Sequence, residues 1–476
     1  MKAGFVSLGC AKNLVDTEVM LGILRQNGIE LTDEPQEAEI IIVNTCAFIQ
    51  SATEEAITTA LNMADYKQGG KCKSLILAGC LVDRYRQQVL DEQQLMDGLP
   101  EVDAFLGSGA WARVMDAVNE SLAGRRVIFK SDGGVYYDAA SSLPSDAANN
   151  SSENGLPEYG DKNFLYEAKT PRLLTTPSYT AYVKIAEGCD HRCAFCAIPL
   201  IRGKFRSRPW EDIVREVEQL TSQGVKEINL VAQDTTFYGA DLYGKPSLAM
   251  LLKKLAKVEQ VKWLRALYAY PHNFTDELME TIAAEPKICK YVDLPLQHAD
   301  DAVLRRMRRP DSHQATTELI AKIRAKIPGV SLRTTFIVGF PGETEAEYGV
   351  LRDFLREQRF DKVGIFAYSR EEDTPAYDMP DQIEEEVAQE RYHELMSIQS
   401  KISEEVNQSL AGRELDVLVE GRDWREDNIA YGRSYREAPE VDGQIYIEGD
   451  SVSAPGDIVR VKISQGFVYD MVGERV

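Results

Sequence analysis

The sequence predicts an α/β protein in three parts. These are an N-terminal doubly wound parallel sheet, a central open partial (β/α)6 barrel and a C-terminal small five-stranded OB-like β-barrel. Three observations carry this reading. Over the first ~120 residues, one pattern of strand, cysteine and helix recurs three times. From Thr180 to about Asn407, six strand-like runs alternate with helical stretches at a longer period. Beyond them, five short strands crowd into fewer than seventy residues, separated by Gly, Pro and Asp.

The first part is built from units. GFVSL leads to Gly9-Cys10 and a helix from Asp16 to Gln26. EIIIV leads to Asn44-Thr45-Cys46 and a helix from Thr53, and SLILA leads to Gly79-Cys80 and a helix from Asp83. In a parallel sheet, ligands gather beyond the carboxyl ends of the strands, so Cys10, Cys46 and Cys80 are expected at one rim. One cysteine after one strand reads as a small buried hydrophobe. Three at equivalent places read as a metal site. Cys72 and Cys289 fit no such pattern and are expected to be structural thiols.

From Ser131 to Asp161 the chain is rich in Ser, Asn, Asp and Gly, which reads as a solvated connector. The expected boundaries are 1–125 for the first domain, 126–174 for a partly flexible linker, 175–407 for the barrel and 408–476 for the C-terminal module. The barrel strands are AYVKIAE, EINLVAQ, LRALYAY, YVDLPLQ, LRTTFIVGF and VGIFAYS, with helices such as Trp210 to Gln223 and Glu343 to Glu357 between them. Six units are fewer than the eight that close a full barrel. A Glu-rich helix, Gln382 to Leu410, leads to the C-terminal strands LDVLVEG, AYGRSY, QIYIEGD, IVRVKISQG and FVYDMVGE.

Composition narrows the class. The chain has 476 residues, 44% hydrophobic and 27% charged, as expected of a globular protein of about three domains. No signal peptide and no apolar run of about 20 residues is present, so a cytoplasmic location without a membrane partner is expected. There, eight cysteines stay reduced and serve metals or catalysis. A net charge of −22 argues against nucleic-acid gripping as the main task and toward a cationic partner, although a local basic patch is compatible with RNA.

The most specific motif is EGCDHRCAFC, in which Cys189, Cys193 and Cys196 follow the first barrel strand. A closed zinc site with His191 as fourth ligand is one reading, but such sites usually draw ligand pairs from two separated segments. The spacing C-x3-C-x2-C, with Phe195 before the last cysteine, resembles the signature of radical S-adenosylmethionine enzymes. That resemblance implies a [4Fe–4S] cluster on three thiolates. The fourth iron is left for S-adenosylmethionine, whose reductive cleavage gives a 5′-deoxyadenosyl radical.

The three-part organisation resembles the methylthiotransferases within that superfamily. It implies that Cys10, Cys46 and Cys80 bind a second, auxiliary [4Fe–4S] cluster and that the C-terminal module is a TRAM domain. SLGCAKNLVDTE, EGCDHRCAFCAIPLIRGKFRSRP, DLPLQHADDAVLRRMRR, TTFIVGFPGETE and YDMVGE resemble the RimO-like branch, whose substrate is an aspartate of small-subunit ribosomal protein S12. In YSREEDTPA, Glu371 and Glu372 stand where the MiaB-like branch, which modifies tRNA adenosine, has Arg and Pro. Ser409 to Val476 holds 8 basic and 14 acidic residues, a net charge of −6. An RNA-gripping barrel is expected to be basic. An acidic one suits a cationic ribosomal protein. An electron donor such as flavodoxin or ferredoxin and a sulfur donor are implied partners. The tRNA reaction is the nearest rival, and a non-enzymatic zinc and RNA-binding module the more distant one.

Secondary candidates for cofactor contact are Phe195, Gln233, Asp234, Arg333, Thr335, Gly339, Gly342 and Glu343. The turn Gly339-Phe340-Pro341-Gly342-Glu343 opens a helix, where amides can hold an anion. The alternative is an ordinary turn with Glu343 complementing the helix dipole. Arg202, Lys204, Arg206 and Arg208 form one basic cluster, open between contact with RNA or cofactor and a solvated face. Arg305, Arg306, Arg308 and Arg309 form a second, read as a solvated face. His272 and His298, at strand ends, are as compatible with packing as with catalysis.

Overall fold

The computed structural model describes residues 1–87, 92–138, 165–423 and 428–476. They divide into two units. The first holds Met1–Thr175, Ala186–Arg208 and Glu371–Tyr377, and the second holds Thr176–Ile185, Pro209–Arg370 and Asp378–Val476. The EGCDHRCAFC loop thus packs with the N-terminal sheet, although in sequence it adjoins the first barrel strand.

The first unit is a seven-stranded sheet in the order Glu30–Leu31, Lys2–Ser7, Ile40–Thr45, Ser74–Gly79, Ala104–Gly107, Val127–Phe129 and Val135–Tyr137. All neighbours are parallel except the last pair. Ile40–Thr45 and Ser74–Gly79 are buried along their whole length, as strands covered on both faces must be. The final hairpin corrects the linker reading. Residues 127–137 extend the sheet, and Arg172 grips the buried Glu18 through Nε and Nη2 at 2.9 and 2.6 Å. Positions 139–164 of the expected linker lie outside the described residues.

Helices also begin earlier than periodicity indicates. The first spans Ala11–Gln26 with Cys10 at its N-cap, the second Gln50–Ala64, and the third starts at Cys80 itself. Lys12, Asn13, Asp16, Thr17 and Glu18 are polar yet buried, which erases the apolar stripe that marks a helix.

In the second unit, Trp263–Ala266, Glu227–Val231 and Thr180–Lys184 form one parallel sheet. Tyr291–Asp293, Ser331–Val338 and Lys362–Ala367 form another. Leu264 N donates to Lys287 O at 2.8 Å and Ala269 N to Asp293 O at 2.9 Å, joining the two sheets into an open six-stranded arc. After the helix Glu385–Gln408, the strands Glu414–Arg422, Ile429–Arg433, Ile445–Glu448, Met471–Arg475 and Ile458–Gly466 close a barrel in that order.

The two barrels share a buried ionic joint. Glu227, with no exposed surface, accepts from Thr180 Oγ1 at 2.9 Å, Arg265 Nη2 at 3.3 Å and Arg433 Nη2 at 2.9 Å. Burial alone would raise this carboxyl, but Arg433 and Arg265 outweigh it and hold it at about 2. Glu227→Ala leaves both guanidiniums without their shared counter-charge. It is expected to lower unfolding free energy by about 3–5 kcal/mol, measured as a fall in denaturant midpoint. Because the folded value is depressed, this stabilisation is complete above the ordinary carboxylate range and is lost as pH falls toward 2.

Candidate functional site

Strand register places the first cysteine trio. Ser7 pairs with Asn44 and Thr45 with Gly79, so the three strands end side by side. Gly9, at φ +93°, lies so close to Cys46 that a Cβ there would stand 2.8 Å from the Cys46 Cβ. Only glycine takes both that conformation and that contact. Asn13 ties the strand ends together, its Nδ2 donating to Leu8 O at 3.1 Å and Thr45 O at 2.7 Å. Arg84 secures the Cys46 turn by donating to Ala47 O at 2.6 Å and Phe48 O at 3.2 Å.

The three thiols sense one another electrostatically. Burial pushes Cys46 up and Cys80 up to about 12, and the neighbouring thiols add to both shifts. For Cys10, burial is overcome by Lys12, Arg202 and nearby amides, which bring it below the usual thiol value. Holding all three as thiolates near neutral pH therefore requires a cation. Cys72, buried with its Sγ 3.5 Å from Ser74 O, sits at the opposite end of the third strand, about 20 Å away. Buried Cys289 belongs to the second unit.

The second trio lies on an excursion clipped at its neck. Ala186–Glu187 pairs antiparallel with Arg206–Ser207, and Cys189 N donates to Gly203 O at 3.1 Å. Gly188 has φ +82°, and a Cβ there would fall 2.0 Å from Lys204 O. Within the loop, Cys196 N donates to Cys193 O at 3.2 Å, and Ala376 N reaches Ala194 O at 2.9 Å. Cys189, Cys193, Phe195 and Cys196 are all partly exposed.

Arg202, on the excursion that carries the second trio, reaches the first. Its Nη1 donates to Asp16 Oδ2 at 2.9 Å and Glu187 Oε2 at 3.1 Å, and its Nη2 donates to Asn13 Oδ1 and to Cys80 Sγ, the latter at 3.3 Å. Arg208 is buried over the Tyr166 ring at 4.1 Å. Neither is available to RNA, so of the first basic cluster only Lys204 is exposed and Arg206 partly so. In the second cluster, Arg305 and Arg308 are solvated as expected. Arg306 instead forks onto Glu347 at 3.0 Å, and Arg309 is buried over Tyr270.

The barrel candidates divide in the same way. Asp234 Oδ1 accepts from Thr236 N at 2.9 Å and Phe237 N at 3.1 Å, so it shapes its own turn. Glu343 is a buried hub, accepting from His298 Nε2 at 2.9 Å, Gly339 N at 2.6 Å and Arg391 Nη1 at 2.7 Å. Its carboxylate shapes the glycine turn, while the following helix is capped by Thr344 and Glu347. His298 is accordingly a packed, hydrogen-bonded residue, and His272 is exposed on a short turn. Arg333 pairs with Asp293 at 2.8 Å and shares a strand face with half-buried Thr335. Gln233, Gly339 and Gly342 lie just beyond the C-terminal ends of their strands.

Comparison with known proteins covers the whole chain. Residues 2–101 match the Uncharacterized protein family UPF0004, 183–355 the Radical SAM superfamily and 411–476 the TRAM domain. A ribosomal protein uS12 methylthiotransferase RimO from Desulforamulus reducens is 47% identical over 471 residues, covering 99% of this chain and 98% of that one. The chain belongs to the RimO family of radical S-adenosylmethionine methylthiotransferases. The RimO of Geobacter sulfurreducens is 46% identical over 99% of this chain and 98% of its own length. Among solved structures, the radical S-adenosylmethionine methyltransferase TsrM from Kitasatospora setae is 13% identical with a TM-score of 0.51, covering 79% of this chain and 73% of that one, a likeness of fold alone.

As a radical S-adenosylmethionine enzyme of the RimO family, the chain takes a [4Fe–4S] cluster and S-adenosylmethionine. The donors suit a cluster: both trios are free thiols with no disulfide. Among the described residues, no three His, Cys, Asp or Glu side chains crowd around a single ion position. A [4Fe–4S] cluster does not ask for that, because each thiolate takes its own iron.

Sequence reasoning missed Asn13, Asp16, Arg84 and Glu187 in this RimO-family site and gave Glu371 no structural place in it. Glu371 is buried, its Oε2 2.6 Å from Arg84 Nη2 and its Oε1 accepting from Gln50 N at 2.8 Å. It braces the Cys46 turn, and the exposed acids of that loop are Glu372 and Asp373. The available signal was the polar run KNLVDTE at the start of a helix that should have shown an apolar stripe.

Proposed function

We propose that the chain adds a methylthio group to the β-carbon of an aspartate in small-subunit ribosomal protein uS12, in the cytoplasm. The observation that carries this is the near-full-length identity to proteins named for that reaction. The acidic C-terminal barrel and the exposed Glu372 support a cationic protein substrate over tRNA. No helix among the described residues is long and apolar enough to cross a membrane.

In this reading Cys189, Cys193 and Cys196 hold the radical cluster, and Cys10, Cys46 and Cys80 hold an auxiliary one. Phe195, Gln233, Arg333, Thr335 and the Gly339–Gly342 turn are the residues assigned to S-adenosylmethionine, with Asp234 and Glu343 shaping their backbone. When bound, the two clusters and S-adenosylmethionine supply one-electron chemistry and sulfur. The chain's own residues hold the thiolates, leave each cluster one ligand short and fix the loops that carry them. An electron donor such as flavodoxin or ferredoxin and a sulfur donor complete the requirement.

Mass spectrometry of cells lacking the chain tests the substrate. Ribosomal protein uS12 is expected to lose the methylthio mass, with tRNA nucleosides unchanged. Loss confined to tRNA overturns the assignment.

A further inference from the structure

Arg202 is buried, ends the short helix Ile198–Arg202 that follows Cys196, and serves four partners. Two are carboxylates, Asp16 and Glu187, and one is the amide oxygen of Asn13. A structural ion pair is complete with these. The fourth contact, Nη2 to the Cys80 sulfur at 3.3 Å, satisfies no carboxylate and points at one of three converging thiols. The positive charge also acts on Cys10 and Cys46.

We propose that Arg202 is a positioning residue shared by both cysteine loops, donating to the Cys80 thiolate and setting the electronic character of the cluster bound by Cys10, Cys46 and Cys80. This rests on the reading of those cysteines as auxiliary-cluster ligands. The physical grounds are twofold. Buried Cys80, as a thiolate, and buried Asp16 place two negative charges on one guanidinium, which offsets them. An N–H to sulfur bond withdraws electron density from the ligand, one of the recognised controls on the potential of an iron–sulfur cluster. Because Arg202 and Glu187 lie on the loop of the second trio, a single side chain ties the order of that loop to the electronics of the first. Lysine keeps the charge but lacks the planar fork that reaches four acceptors.

The test uses the full-length chain with Cys189, Cys193 and Cys196 replaced by alanine, so that only auxiliary-cluster signals remain. If this parent assembles no cluster under anaerobic reconstitution, the auxiliary-site reading fails and the proposal falls with it. If it assembles one, Arg202→Gln and Arg202→Lys are made in the same background. Both are expected to shift the electron paramagnetic resonance spectrum of the reduced cluster. Arg202→Gln is expected to move the midpoint potential to more negative values, with Arg202→Lys in between. Clusters with the parent's spectrum and potential in both variants overturn the proposal while leaving the auxiliary site intact. Should Arg202→Gln not assemble, Arg202→Lys decides by the same two readouts. Should neither assemble, circular dichroism of the metal-free proteins decides: a parent-like spectrum supports a role at the cluster, and a lost fold reduces Arg202 to a structural ion pair.

Discussion

Cys193→Ala is expected to abolish 5′-deoxyadenosine production, a loss limited only by the detection of the assay. The thiol lies in the middle of the excursion clipped between Glu187 and Arg206, and the three cysteines there are the only ones on that loop. Removing one leaves two thiolates, and four-iron clusters are held by more than two protein ligands when a small molecule takes the last corner. The substitution should not disturb folding, because Cys193 is partly exposed and its backbone carbonyl, which accepts from Cys196 N, is retained. Product formation at the wild-type rate, measured by chromatography of an anaerobic reaction, would remove the radical cluster from these residues.

The second large effect separates the two sites. With Cys10, Cys46 and Cys80 all replaced by alanine, 5′-deoxyadenosine is expected to form while methylthiolated uS12 is absent. The two rims are built differently. Cys80 is buried and pushed up to about 12, so its thiolate depends on a bound cation, whereas the Cys189 loop is held by backbone bonds that the substitutions leave untouched. Methylthiolated product at the wild-type level in this variant, read by mass spectrometry, would show that the N-terminal trio has no part in sulfur insertion.

The parts of this molecule that could be read from sequence share one property: their determinants are local. Continuous apolar runs such as EIIIV and SLILA mark strands of a parallel sheet, and a glycine or a short polar turn before each cysteine marks the rim. The six barrel strands and the five of the C-terminal barrel follow from the same local alternation of runs and turns. What was hidden depends on partners far apart in sequence. Arg202 reads as one of four basic residues in a row, and only folding brings it to Asn13, Asp16 and Cys80. Glu371 reads as a mark of the RimO-like branch in YSREEDTPA, and only the fold brings it to Arg84 and the amide of Gln50. The hairpin Val127–Phe129 with Val135–Tyr137 was concealed because its strands are only three residues long and flank SDGG, a turn-forming stretch. The EGCDHRCAFC loop adjoins the first barrel strand in sequence, yet its Ala194 O accepts from Ala376 N and its Glu187 accepts from Arg202, both partners in the first unit.

The central claim is that each cysteine trio of the first unit holds its own [4Fe–4S] cluster. Iron and acid-labile sulfide measured on protein handled without oxygen address it most directly. Wild-type protein should carry about eight irons and as many sulfides, and replacement of either trio should leave about four of each. A wild-type preparation that never exceeds four irons after full reconstitution, or a trio whose loss leaves the count unchanged, would contradict it.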